Sequence, residues 1–467
     1  MTAFRSFTKP SRVAVLALAC ACALSACTWY APQPLNPADT STSLASLERV
    51  RIDPQRMPLP ELKMHRFDPS DGLDIEEVAM LAVANNPDLK LARDDLHIAQ
   101  AQAFAAGLLP DPQLSIASDY PGTLGTTRAF SYGLSMDVMA IVTRAANKAS
   151  ADAGVRRVDL GLLWQEWQVI AQARQLFLRA RMQDETLPLL RRLYELSRTR
   201  YERMMQAARE GNLTADATSA ALLTWSDTRK QLSDAERAAE QTHHDLNLLL
   251  GVSQDVRLNL VDSPDTHVDR NDDVLIDIAL DSLPRRRPDL LALKAGYQAQ
   301  EEKYRAAILS QFPSLSVGFN RGRDTSNIYT TGFQINLTLP VFNRNRGNVA
   351  IESATRTRLR DEYQMRLNQA YADAAHVRAD CAILLSQLDA ARRALPDADA
   401  TAHNAQRAFD EHDLTLNAYT DAQSAALLRR IDIDTLAESY AEQRVALQAV
   451  LGNVIPAASD PTPHHAK

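Results

Sequence analysis

The chain has 467 residues, 45% of them hydrophobic and 23% charged, with only 15 glycines. That is ample for a large core, and few glycines beside abundant Ala, Leu, Arg and Gln favour helices. A net charge of -7, with no basic stripe or run of like charge, argues against a nucleic-acid partner.

The first 27 residues read as an address. Arg5, Lys9 and Arg12 give a basic start, and residues 13–26 form a short apolar core. That core ends Leu24-Ser25-Ala26-Cys27, which resembles the lipobox of bacterial lipoproteins. The resemblance implies a signal peptide over 1–26, cleavage before Cys27, and a lipid on the Cys27 thiol. Thr28, where inner-membrane retention uses Asp, implies the outer membrane. Cys20 and Cys22 leave with the leader and Cys381 remains alone, so a mature chain builds no disulfide framework and no Cys-rich zinc site. Cys381 lies on a helical stretch and reads as a small buried hydrophobe. After the leader no run reaches the ~18 apolar residues of a spanning helix. Any membrane crossing must therefore use strands.

Past an anchor and irregular segment at 27–75, the chain is written twice. Pro87-Asp88-Leu89 recurs as Pro288-Asp289-Leu290, and with that shift of 201 residues 87–115 match 288–316 at nine of 29 positions. Leu213-Thr214 pairs with Leu414-Thr415, and Leu250-Gly251 with Leu451-Gly452, at the same shift. A period this long marks a duplicated half-protein, not a solenoid. The first repeat covers 76–251 and the second 286–452, joined by a connecting equatorial segment at 252–285 and followed by a tail at 453–467.

Each repeat is expected to run helix, strand, loop, strand, long helix, tight turn, second long helix. The strands fall at 113–120 and 130–138, and again at 314–321 and 331–341, each with one apolar and one small-polar face. Phe130, Tyr132, Leu134, Met136 and Val138 oppose Ser131, Gly133, Ser135 and Asp137; Phe333, Ile335, Leu337, Leu339 and Val341 oppose Gly332, Gln334, Asn336 and Thr338. Such alternation suits a wall between lipid and a polar lumen. It also suits a small soluble sandwich. Four strands cannot close a barrel, whose smallest types need about eight, so a barrel requires several chains pooling strands.

From Arg144 to Ala208 only Gly154, Gly161 and Pro188 interrupt the helix formers, a stretch of roughly 95 Å if continuous. Over 169–208, ten of twelve positions at 3-4 spacing are apolar, with lapses at Gln183 and Ser197. That is a coiled-coil seam. Thr186 before Pro188 marks either a new segment or a kink. The paired helices meet at polar turns, residues 209–216 and 410–417, where Gly211 suits a helix stop and Thr214 and Thr415 suit N-caps. No GxSxG, HExxH, P-loop or dinucleotide fingerprint appears, and the sequence does not read as an enzyme. His243-His244 and His464-His465 read as exposed pairs, with no metal or cofactor site.

With these features the sequence resembles the TolC-type outer-membrane efflux family. The lipobox, the duplication, NPDL with AAGLLPDPQLS (86–115), RPDLLAL (287–293), LPVFNRNRGNVA (339–350) and the two tips carry the resemblance. It implies a mainly α fold with a membrane β-barrel portion. Three protomers would each give four strands to a shared 12-strand barrel, and long coiled-coil helices would form an α-barrel through the periplasm. It further implies a passive duct, a homotrimer, served by a periplasmic adaptor and an inner-membrane pump of the resistance-nodulation-division type. Gly211, Leu213, Thr214, Leu414 and Thr415 correspond to adaptor-docking tips, and Asp421 to a pore constriction. AGLLPDPQLS and LPVFNRNRG are most similar to the heavy-metal, CzcC-like branch, with drugs the alternative cargo. Two departures stand out: His412 replaces the usual Gly at the second tip, and 139–149 lacks the Arg-Asn-Arg-Gly run of the second repeat. A non-conducting lipid-anchored periplasmic scaffold is the competing reading; it leaves the strands and the duplication unexplained.

Overall fold

The computed structural model describes residues 30–35, 50–261 and 273–452, within two units, 1–41 and 42–467. In the first unit, residues 30–35 carry no regular secondary structure and are exposed. The leader, Cys27 and the 453–467 tail lie outside the described residues. All helices and strands named below belong to the second unit.

After a 3-10 turn at Pro54–Arg56 and α1 (Pro60–Met64), the first repeat runs α2 (Ile75–Asn85), α3 (Pro87–Ala106), β1 (Gln113–Asp119), β2 (Ala129–Asp137), α4 (Val138–Arg209) and α5 (Ala215–Leu249). The second runs α6 (Asp273–Arg286), α7 (Pro288–Leu309), β3 (Ser314–Arg323), β4 (Tyr329–Thr338), α8 (Arg346–Asp410) and α9 (Leu416–Val450). Thus the 252–285 stretch, read from sequence as a connector, ends in a helix that is the counterpart of α2. Its first part threads back instead: Leu73 N–H donates to Asn259 O at 2.8 Å and Val261 N–H to Leu73 O at 3.0 Å.

Local chemistry starts the short helices of the first repeat. Asp74 Oδ1 accepts from the N–H of Glu76 and Glu77 while Glu77 Oε2 accepts from Asp74 N–H, a reciprocal box that satisfies otherwise orphaned donors of α2. Asn86 Oδ1 caps Leu89 N–H at 3.0 Å, and Pro87 takes the first helical position, where its missing N–H costs nothing. In the second repeat Arg287 replaces Asn86. Its guanidinium instead pairs with Asp289, 2.8 Å away, and Asp289 also takes Arg366 at 2.8 Å. Arg287 lies 4.7 Å over the Trp164 ring, so this buried charge network ties α7 to α4 and α8.

The duplication extends to the cores. One cluster joins Val78, Ala173, Ala180, Leu246 and Leu250; the other joins Ala279, Ala374, Cys381, Leu447 and Leu451, each 201 residues on. In both, a short helix packs where the middle of one long helix meets the end of its partner. Cutting any of these leucines to Ala would cost about 2–5 kcal/mol through lost burial and a cavity. Gly251 and Gly452 end the paired helices with φ of 62° and 80°, a left-handed backbone that favours glycine.

The helix α4 is 72 residues long, about 108 Å at 1.5 Å per residue. It continues through Pro188, so no new segment starts at Thr186. Of the two seam lapses, Ser197 is buried and satisfied: its hydroxyl meets that of Thr228 on α5 at 2.6 Å. A polar break in the stripe is thereby converted into a hydroxyl pair between helices.

The strands differ slightly from the sequence expectation. Val138 opens α4 rather than closing β2, because Asp137 Oδ1 takes the N–H of Met139 at 2.8 Å and of Ala140 at 3.3 Å. Leu339 and Val341 fall beyond β4, on either side of Pro340, which has no N–H for a ladder. The second strand-to-helix junction is built otherwise: Arg344 and Asn345 take φ of 49° and 52°, and Asn345 Nδ2 donates to Ala307 O at 2.9 Å. The two junctions differ as the sequence departure at 139–149 suggests.

Candidate functional site

The four strands form one antiparallel sheet in the order β1-β2-β3-β4. The register sets Leu114 beside Leu134, Leu134 beside Phe319, and Phe319 beside Phe333. Because side chains alternate, that row and its neighbours Met136-Val317-Ile335 and Leu315-Leu337 make one apolar face. Leu114, Ile116, Leu134, Phe319, Phe333 and Ile335 are all exposed. The opposite face carries Ser115, Ser131, Asn320, Gln334 and four glycines. A Cβ added at Gly322 would meet Phe130 O at 2.9 Å, and one at Gly332 would meet Asn320 Oδ1 at 2.7 Å. The small-polar face is therefore the crowded one, and glycine lets neighbouring strands close in on it. Among the described residues, β1 and β4 each pair on one side only.

At the opposite end of the helices, the two tips share one geometry. After α4, Gly211 takes φ 79° and Asn212 N–H donates to Ala207 O at 2.8 Å. After α8, His412 takes φ 66° and Asp413 N–H donates to Ala408 O at 2.8 Å. His412 stands 201 residues after Gly211 and adopts the same left-handed conformation, so the departure at this position leaves the turn unchanged. Gly211, Leu213, Thr214 and Thr415 are exposed and Leu414 is half-buried. Thr415 Oγ1 caps Ala418 N–H at 3.3 Å, whereas Thr214 holds the N-cap position without a side-chain bond. Behind the tips, Tyr201 stacks on Trp225 and Phe409 on Tyr419, with centroids 5.1 and 4.6 Å apart.

Asp421, on the second turn of α9, faces α4 of the other repeat. Its Oδ1 lies 2.5 Å from Arg200 Nη1; the carboxylate is 64% exposed and the guanidinium 22%. The structure thus gives Asp421 a cationic partner that the sequence reading did not foresee. Farther along the same α4–α9 contact, Arg179 pairs with Glu442 at 2.8 Å and approaches Glu438 at 3.7 Å. Burial, with repulsion from Glu442, pushes the Glu438 carboxyl up to about 7 against the pull of Arg179. Asp434, one turn earlier, is raised too, by burial and then by Glu185. Nearby, Arg174 is buried and held by Glu61 and Glu76 at 2.7 Å each, which ties α4 to α1 and α2. Sequence reasoning missed these groups because a charge in a helical period looks alike whether it faces water or a packed neighbour.

Cys381 is buried, and desolvation pushes its thiol up to about 11, so it is unreactive. His243 is half-buried and His244 exposed, beside Glu240, which pairs with Arg257 at 2.6 Å. Among the described residues no three His, Cys, Asp or Glu side chains are arranged to hold a metal. Nor is any described helix long and apolar enough to cross a membrane.

An internally doubled set of very long helices carrying one four-stranded sheet is the architecture of TolC-type channels. Residues 279–453, most of the second repeat, match the model of the outer membrane efflux protein family. No curated protein matches the chain. Among solved structures, CusC, described in terms of conformational changes accompanying folding and transmembrane channel formation, is 19% identical with a TM-score of 0.67, over 90% of this chain and 99% of that one. The Campylobacter jejuni CmeC outer membrane channel is 17% identical, TM-score 0.68, over 93% and 95%. The open-state Neisseria gonorrhoeae MtrE outer membrane channel is 19% identical, TM-score 0.65, over 91% and 98%. At these identities the likeness is one of fold.

Proposed function

We propose that this chain is the outer-membrane duct of a tripartite efflux system. Three copies pool their sheets into a 12-strand barrel, and their helices continue as an α-barrel through the periplasm. A lipid on Cys27 tethers each copy to the outer membrane. Gly211, Leu213, Thr214, Leu414 and Thr415 meet a periplasmic adaptor, and Asp421 narrows the periplasmic entrance. Substrate arrives from an inner-membrane pump of the resistance-nodulation-division type and passes without chemistry.

The observation that carries this reading is the sheet: one exposed apolar face, one glycine-lined polar face and two edges with backbone groups free to pair with another copy. Exposed edges and apolar patches of this kind are liabilities unless membrane and neighbours cover them. As cargo we favour heavy-metal cations, on the likeness of AGLLPDPQLS and LPVFNRNRG to the CzcC-like branch. A duct need not bind its cargo, so the lack of a three-ligand metal cluster among the described residues does not oppose this.

The test is deletion of the gene, with growth inhibition read for zinc, cadmium, cobalt, nickel, copper and silver beside antibiotics and dyes. Sensitisation to metals, rescued by the wild type, is expected. Sensitisation to drugs alone would overturn the cargo assignment and keep the duct.

A further inference from the structure

The apolar face of the sheet does not stay apolar to its end. On β3 the row Leu315, Val317, Phe319 continues as Arg321 and Arg323, on the same face by alternation. The register puts Tyr132 and Thr331 beside Arg321, and Phe130 and Tyr329 beside Arg323. One position before β2, Arg128 has the same parity as Phe130, and its guanidinium lies 4.3 Å over the Tyr120 ring. Arg323 lies 5.2 Å over Phe130, which meets Tyr329 edge-on at 6.3 Å. Arg323 Nη2 also donates to Arg128 O at 2.9 Å, locking the two arginines into one cluster.

Four features give this cluster a direction. The helices attach at the other end of the sheet, before Gln113 and after Asp137, so the arginines stand at the end remote from them. No carboxylate lies on this face: Asp119 and Asp137 both fall on the glycine-lined side. Arg321 is exposed. Finally, Arg321 and Arg323 follow Leu315 by six and eight residues. That is about 20–26 Å along a strand, or about 15–20 Å of depth at a tilt near 40°. They therefore sit near the far edge of a ~25 Å apolar band that Leu339 and Val341 extend at its other end.

We propose that Arg128, Arg321 and Arg323 bind the phosphate groups of an anionic lipid in the outer leaflet. A planar guanidinium on an aromatic body suits this position: the ring tolerates the hydrocarbon boundary while the fork takes two phosphate oxygens. Three arginines per copy, from strands adjacent in the sheet, match a headgroup carrying more than one phosphate. This contact rests on the barrel reading above, since only in a barrel does the face meet lipid.

The probe is lipid A, either bisphosphorylated or with its phosphates removed, added to the full-length trimer purified in detergent. Bound lipid is counted by native mass spectrometry. The variants are R128Q/R321Q/R323Q and the corresponding triple lysine substitution. Wild type is expected to retain the bisphosphorylated lipid at least tenfold better than the glutamine variant, and better than it retains the dephosphorylated lipid. The lysine variant is expected to keep most of the binding. Equal retention by the glutamine variant, or equal retention of both lipids, would overturn the proposal. So would displacement by inorganic phosphate at the lipid's own concentration, which would make free phosphate the ligand. Mass and bilayer conductance of the same samples separate the two failures. Trimeric, conducting protein whose lipid binding ignores the arginines refutes only the lipid contact, whereas a wild type that neither trimerises nor conducts refutes the barrel and the contact together.

Discussion

Arg200 and Asp421 are 221 residues apart in sequence, yet Nη1 and Oδ1 lie 2.5 Å apart in the fold, joining the first repeat to the second beside the tips. The carboxylate that we propose narrows the periplasmic entrance carries, in this conformation, its own counter-charge. Exposed as the pair is, it is worth only about 0.5–1 kcal/mol. That is enough to bias two conformations a few-fold and too little to lock one.

Opposite charge changes at this pair should therefore act oppositely. Asp421→Ala leaves Arg200 unpaired and should move ion selectivity toward anions. Arg200→Ala leaves Asp421 unpaired and should move it toward cations. Reversal potentials of single channels under a salt gradient check this; shifts of the same sign in both variants would remove Asp421 from the pore.

Glu438 makes stability depend on pH. Its carboxyl is raised from 4.5 to about 7, first by burial and then by Glu442. The folded state therefore holds the proton more tightly than the unfolded state, and stability is lost as pH rises from about 4.5 through about 7. Glu438→Gln should match the wild type near pH 4.5 and exceed it by about 1–3 kcal/mol at pH 8, a rise of a few degrees in melting temperature. A gap constant across pH would show that Glu438 ionises normally.

His412 holds a left-handed backbone that costs a residue with a Cβ about 1 kcal/mol relative to glycine. His412→Gly should preserve the tip and slow local hydrogen exchange at Asp413 and Leu414 by a few-fold. Faster exchange there would mean that the imidazole, whose Nδ1 lies 3.1 Å from Asp410 O, holds the turn.

Thiol counting tests the anchor. Native protein from membranes should not react with a maleimide, because Cys381 is buried. After denaturation one thiol per chain should label if Cys27 carries lipid; two would mean a cleaved but unlipidated chain, and four a retained leader.

Much of this fold is legible in the sequence, because each long-range feature leaves a periodic trace. The shift of 201 foretells that Ala180 and Cys381 occupy equivalent core positions, and strict alternation foretells β1 to β4 to within a few residues. What stays hidden depends on partners brought from afar. Arg200 looks like any helix arginine until α9 delivers Asp421. Arg128, Arg321 and Arg323 make no run in sequence and become a cluster only through the register of β2 with β3. Strand ends are obscured for a different reason: Asp137 can extend β2 or cap α4, and the N–H groups of Met139 and Ala140 decide for the cap.

The central claim is that three such sheets close a conducting barrel. Single-channel recording of the purified protein in a planar lipid bilayer tests it most directly. Discrete, long-lived conductance steps from protein whose mass is that of three chains are predicted. Intact trimers that give no conductance, with the Asp421 variants equally silent, would contradict it.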